Sequence, residues 1–217
     1  MSLKKTSIYM IITYVISFFF PVFFTFFSQE AVINANIFAY IVGAIVMIIL
    51  YYKNNEPTLV RQEAPLESPV FTFLLGFSGI FISLFIQSII SYIEIFISGE
   101  VPVSQNTQNI IEVITNYPLF ALATVIGGPI LEEFVFRRSI ISLVQPETNF
   151  WVAAVLSSAV FSLAHRDSHF FVYFFMGLFF AILYKKTGRI WTSIIAHCGM
   201  NALVVVIQLV NFYANAS

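Results

Sequence analysis

Three apolar runs, about Ile8 to Phe27, Ala31 to Tyr52 and Val70 to Ser98, fill most of the first half of this sequence. Each is long enough to cross a bilayer as a helix. The charge content points the same way: 10% of the 217 residues are Asp, Glu, Lys or Arg and 59% are hydrophobic, whereas a soluble domain needs roughly a quarter charged residues to wet its surface. The lipid bilayer is therefore the solvent and a partner of this chain. The expected fold is all-α, a polytopic transmembrane helical bundle of about seven spans. Ten basic residues against eleven acidic ones leave no electrostatic footprint for nucleic acid, which is excluded as a partner. A single cysteine, Cys198, cannot form an internal disulfide.

The first run follows Lys4 and Lys5 but is too long for a secretory signal and lacks a small-residue cleavage site before the next run begins at Ala31. It is expected to be a retained span. A polar loop near residues 53–69 follows the second run, and the third, long enough to tilt or to bend near Gly76 and Gly79, ends at Gly99, Glu100 and Pro102. After a loop of Ser104 to Gln108, four shorter segments follow: Pro118 to Val144, Phe150 to His165, His169 to Tyr184, and Ile190 to about Tyr213. Residues 1–110 thus read as plain transmembrane spans and residues 111–217 as a helical core that carries ionisable groups. With seven crossings, Lys4/Lys5, Lys53/Arg61, Arg137/Arg138 and Lys185/Lys186/Arg189 fall on one side. The bias of cytoplasmic loops toward Lys and Arg then predicts a cytoplasmic amino terminus. Arg166 falls on the other side.

Charged groups inside apolar helices are expensive to insert, so Glu132 and Glu133 call for a functional explanation. Consecutive helical residues point about 100° apart and cannot share one target. Glu133 has a local partner, Arg137 four residues on, and that pair suits a structural, orienting role. Glu132 has none and is the better candidate for proton transfer. All three histidines lie downstream. Phe161 and His165 share one helix face at a spacing of four, and so do His197 and Asn201; each alone reads as an interhelical hydrogen-bonding residue. With a turn near Pro146 and a rise of 1.5 Å per residue, Glu132 stands ~20 Å up one arm and His165 ~28 Å up the other. His197 and Asn201 stand ~14 and ~20 Å up the last helix. Four polar groups therefore converge near one depth. Pro129 removes an N–H and, with Gly127 and Gly128, loosens the helix just before the acids.

The pattern Glu132-Glu133-x-x-x-Arg137, Phe161-x-x-x-His165 and His197-x-x-x-Asn201 resembles the CAAX-processing and bacteriocin-processing family of intramembrane proteases, known as CPBP or Abi. Phe175, Gly177, Thr187-Gly188 and Trp191 are similar to that family's approach to its last motif, and the resemblance covers about Tyr117 to Val206. It implies an intramembrane endopeptidase in which Glu132 and His165 activate water while His197 and Asn201 stabilise the oxyanion. The resemblance further implies a membrane-associated peptide or protein as substrate, and a place in a bacterial cell membrane. No cofactor is expected. The family has also been described as metalloproteases, and zinc on Glu132, His165 and His197 is the alternative, ranked lower because His-Glu-x-x-His is missing and Asn201 is a poor zinc ligand. His169 is a further candidate ligand, read first as an interfacial residue. The competing functions are a non-catalytic bacteriocin immunity or regulatory scaffold protein of the same fold and a proton-relaying transporter. A serine protease is weaker, because Ser157, Ser158 and Ser162 near His165 lack a nucleophile context. An aspartyl protease is excluded by Asp167 being the only aspartate.

Overall fold

A computed structural model of the chain describes residues 1–65, 68–99 and 104–216. Glu100 and Pro102, expected to close the third span, lie outside the described residues. Side-chain oxygens start most of the helices, each satisfying an amide that the first turn leaves free. Ser2 caps α1 (Leu3–Phe19), Ser28 caps α2 (Gln29–Lys53), Thr58 caps α3 (Leu59–Glu63) and Ser68 caps α4 (Pro69–Ser98). Pro21 turns the end of the first span into a short 3₁₀ segment, Phe20–Phe24. Gly99, with φ 71°, closes α4 in the left-handed conformation that a residue without Cβ adopts freely.

Beyond Ser104 the chain departs from the expected loop. Ser104 accepts a hydrogen bond from the Thr107 amide and starts α5 (Gln105–Asn116), whose Ile111 and Ile114 are buried while Gln105, Gln108, Asn109, Glu112 and Asn116 are exposed. With so few apolar residues, this helix takes its stability from the bundle beneath it rather than from its own sequence. Then α6 runs over residues 120–144, with two π segments, Ala123–Gly127 and Glu133–Ile140, set between α-helical pieces. Asn149 caps α7 (Phe150–His165), α8 covers Phe170–Thr187 and ends at the left-handed Gly188, and α9 covers Ile190–Ala216.

Among the described residues, five helical stretches are long and apolar enough to cross a membrane: Leu3–Phe24, Gln29–Lys53, Pro69–Ile97, Phe170–Thr187 and Ile190–Asn215. The shorter apolar α7 and the charged α6 complete the polytopic bundle. Its outside is a lipid-facing coat that includes Phe23, Phe26, Phe27, Phe85 and Phe96, and its core holds Met10, Met47, Leu131, Phe134, Ile141 and Phe161. The helix α4 runs unbroken past Gly76 and Gly79. They let α9 come close: a Cβ on Gly76 would stand 2.9 Å from Ile195 Cβ, and one on Gly79 2.9 Å from Ala196 Cβ. Small residues are the usual means of close helix contact where lipid offers no hydrophobic drive.

The two ends of the bundle differ in charge. At one end the Met1 ammonium donates to Lys53 O, Arg61 donates to Thr187 O, and Lys185 lies over the Phe150 ring. Lys4, Lys5, Lys186 and Arg189 belong to the same helix ends. At the other end stand α5, Arg166, Asp167 and a hydrogen bond between His169 Nδ1 and Glu94 Oε2 at 2.7 Å.

Candidate active site

The π segment Glu133–Ile140 widens the helix where Glu133 and Arg137 face each other, and π turns of this kind are frequent at functional sites. Arg137 Nε lies 3.5 Å from Glu133 Oε1, and both side chains are almost fully buried, at 1% and 0% exposure. The guanidinium lies 4.1 Å from the Phe161 ring centroid and 5.5 Å from that of Phe180, so aromatic faces take the place of solvent around it. The expected pairing is present, and a third member joins it. His197 Nδ1 donates to Glu133 Oε1 at 2.9 Å, and its Nε2 lies 3.6 Å from Glu132 Oε2. Glu133 therefore orients an imidazole as well as neutralising an arginine.

Glu132 points the other way. It is 18% exposed and lines a cavity of about 1190 Å³ together with His165, His197 and Asn201. The four residues that sequence reasoning placed at one depth do face one space, while Glu133 and Arg137 are sealed behind it. His165 Nδ1 contacts Phe161 O at 2.8 Å. A carbonyl can only accept, so Nδ1 carries the proton there and Nε2 of the neutral ring is free to accept. Phe161 also packs edge-on to His165 at 4.5 Å. Asn201 Nδ2 donates to Thr124 O at 3.2 Å, which occupies one amide hydrogen and leaves the second.

Several cavity residues carried no signal in the sequence. Tyr14 from α1 and Tyr40 from α2 line the same wall as Glu132. Tyr173 stacks on the His165 ring at 3.9 Å and Phe180 on the His197 ring at 4.6 Å. Both belong to the aromatic-rich helix α8, and only the helix crossing shows which rings turn inward: Phe180 is buried while Phe171 is exposed. The cavity extends to the end of the bundle where Arg166 and α5 stand, and α5 contributes Asn106 and Ile111 to its wall. Asp167, outside the spans, accepts hydrogen bonds from Ser104 at 2.6 Å and from the Tyr173 hydroxyl at 3.2 Å. Partial burial pulls its carboxyl upward, but those donors win and hold it below the usual carboxylate range. The same network ties the start of α5 to the ring that backs His165.

A metal would need three converging ligands. Among the described residues no three His, Cys, Asp or Glu side chains form such a group. His197 commits Nδ1 to Glu133, and His169 is taken by Glu94.

Comparison with known proteins bears on residues 114–203, which match the family model described as type II CAAX prenyl endopeptidase Rce1-like. A protein of Bacillus subtilis (strain 168) named as a membrane peptidase, YdiL, is 38% identical over 167 residues, covering 76% of this chain and 68% of the relative. The membrane-embedded CAAX protease MroQ of Staphylococcus aureus (strain USA300) is 34% identical over 191 residues, covering 84% of this chain and 76% of the relative. No solved structure gives a significant match.

Proposed function

We propose that this chain, which belongs to the CPBP family of membrane-embedded CAAX-type peptidases, cleaves a membrane-associated peptide or protein with water activated by Glu132 and His165. One observation carries the assignment of roles: of two adjacent acids, only Glu132 reaches the cavity that His165, His197 and Asn201 also line. The immunity-protein or scaffold alternative gives way to a peptidase on the family membership.

In this reading Glu132 accepts a proton from water held between it and His165 Nε2, and the hydroxide formed attacks the scissile carbonyl carbon. The carbonyl oxygen becomes an oxyanion facing the free Asn201 amide hydrogen. His197, with both ring nitrogens protonated, keeps Nδ1–H on Glu133 and presents Nε2–H to the same oxygen. Donors held in place before the reaction stabilise the developing charge without reorganising. The proton taken by Glu132 then passes to the leaving amine nitrogen, directly or through His165, as the C–N bond breaks. By the positive-inside bias, the basic end of the bundle and the amino terminus with it face the cytoplasm.

The oxyanion assignment is tested by Asn201→Ala and His197→Ala in purified protein on a verified peptide substrate. Each is expected to lower kcat on the order of 100-fold with little change in KM, because the donor acts chiefly in the transition state. An effect confined to KM would remove the oxyanion role.

Metal-free chemistry is part of the same reading. Using Glu132, His165 and His197 as ligands would leave only Glu133 as base, and Arg137 and His197 already hold it. Purified protein is expected to contain no stoichiometric zinc and to keep its turnover after strong chelation. One zinc per chain by elemental analysis, with activity lost on chelation and restored by added metal, would replace this mechanism.

A further inference from the structure

We infer that Pro129 is a positioning residue for Asn201, acting through the carbonyl of Thr124 that it leaves without a backbone donor; the inference rests on the proposed oxyanion role of Asn201. In the π segment Ala123–Gly127 hydrogen bonds span five residues, and the Gly128 amide donates to Ala123 O. The next carbonyl in that register is Thr124 O, and the residue five positions on is Pro129, which has no N–H to give. The residue four positions on, Gly128, is already engaged with Ala123. Thr124 O is thereby left open inside the bundle, where an unpaired carbonyl is unfavourable, and it accepts Asn201 Nδ2 at 3.2 Å. A proline in an ordinary α-helical register would instead free the carbonyl of Val125, so the π turn and the proline are both required. Pro129, Thr124 and Asn201 all line the cavity.

The consequence is geometric. An asparagine amide on a single helix can swing about two torsions, and a misplaced donor loses much of its effect on a transition state. Anchoring one amide hydrogen on Thr124 O fixes the plane of the group and directs the second hydrogen. The helix that carries Glu132 thus also sets the oxyanion donor of α9, which links the base and the donor through one local backbone feature.

The test compares Pro129→Ala with a variant carrying the hydroxy acid lactate at position 129, whose backbone ester has the alanine side chain but no N–H. Pro129→Ala supplies a donor to Thr124 O and is expected to lower kcat about 10- to 100-fold with KM little changed, the upper bound being the loss of the donor itself. The ester is expected to recover most of that turnover, and Pro129→Ala with Asn201→Ala to be no slower than Asn201→Ala alone. Pro129→Ser restores the same N–H and repeats the comparison should Pro129→Ala fail to accumulate. A second readout does not depend on turnover: in protein labelled with ¹⁵N-asparagine, the Asn201 side-chain amide resonances should shift and exchange faster in Pro129→Ala than in the ester. Equal impairment of the ester and the alanine variant, or an unmoved Asn201 resonance in Pro129→Ala, would overturn the inference. Full turnover of Asn201→Ala would instead remove the oxyanion reading, with the resonance comparison still deciding whether Pro129 hands Thr124 O to Asn201.

Discussion

Glu132→Gln is expected to reduce turnover by roughly 10²- to 10⁴-fold, the range that one positioned general base contributes, while the protein inserts and accumulates normally. The amide keeps the shape of the side chain and cannot take the water proton. Removing the charge also makes the helix easier to insert, so loss of activity cannot be assigned to loss of protein. The neighbouring acid offers no rescue, since Glu133 is 0% exposed and held by Arg137 and His197. Peptidomics of cells carrying wild type or Glu132→Gln would read the effect and nominate the substrate together. Full activity of Glu132→Gln on that substrate would show that His165 or another group is the base.

Glu133→Ala is expected to act differently, lowering both the folded yield and the turnover of what folds. Arg137 would be left almost fully buried without its adjacent carboxylate, and stranding one partner of a buried pair costs about 3–5 kcal/mol. His197 would lose the acceptor that fixes its Nδ1. The two losses separate in the double variant Glu133→Ala with Arg137→Met, because an apolar side chain of similar volume often replaces a buried pair without loss of stability. Thermal unfolding in detergent should return toward wild type in the double variant, and turnover per folded molecule should not. Recovery of both would reduce Glu133 to a counter-ion for Arg137.

The way these residues became legible differs from one to the next. Glu133 with Arg137, Phe161 with His165, and His197 with Asn201 are spaced by one helical turn, so each pair was readable from linear distance. That His197 bridges both glutamates was not, because the contact of His197 with Glu133 spans 64 residues and depends on how α9 crosses α6. The break at Pro129 was visible, but which carbonyl it opens was not: an α-helical register would free Val125 O, and the π register moves the open carbonyl to Thr124. The contact made at Gly76 and Gly79 was hidden for a similar reason. A glycine in a span is consistent with a bend or a close approach, and the position of α9 is what shows the close approach.

By itself the sequence determined the solvent, the helical class, the approximate spans and the chemical groups available, because hydropathy and helical period act along the chain and need no partner. It also fixed which end of each span carries positive charge. The tertiary structure alone decided which faces turn inward. Helix α5 has too few apolar residues to announce itself and forms over the bundle that buries Ile111 and Ile114. Tyr14, Tyr40, Tyr173 and Phe180 are ordinary aromatic residues in apolar helices until the crossing of those helices sets them around Glu132, His165 and His197. In lipid an aromatic ring is equally at home facing outward or inward, so composition cannot choose; close packing between helices can, and it placed these rings in the cavity wall.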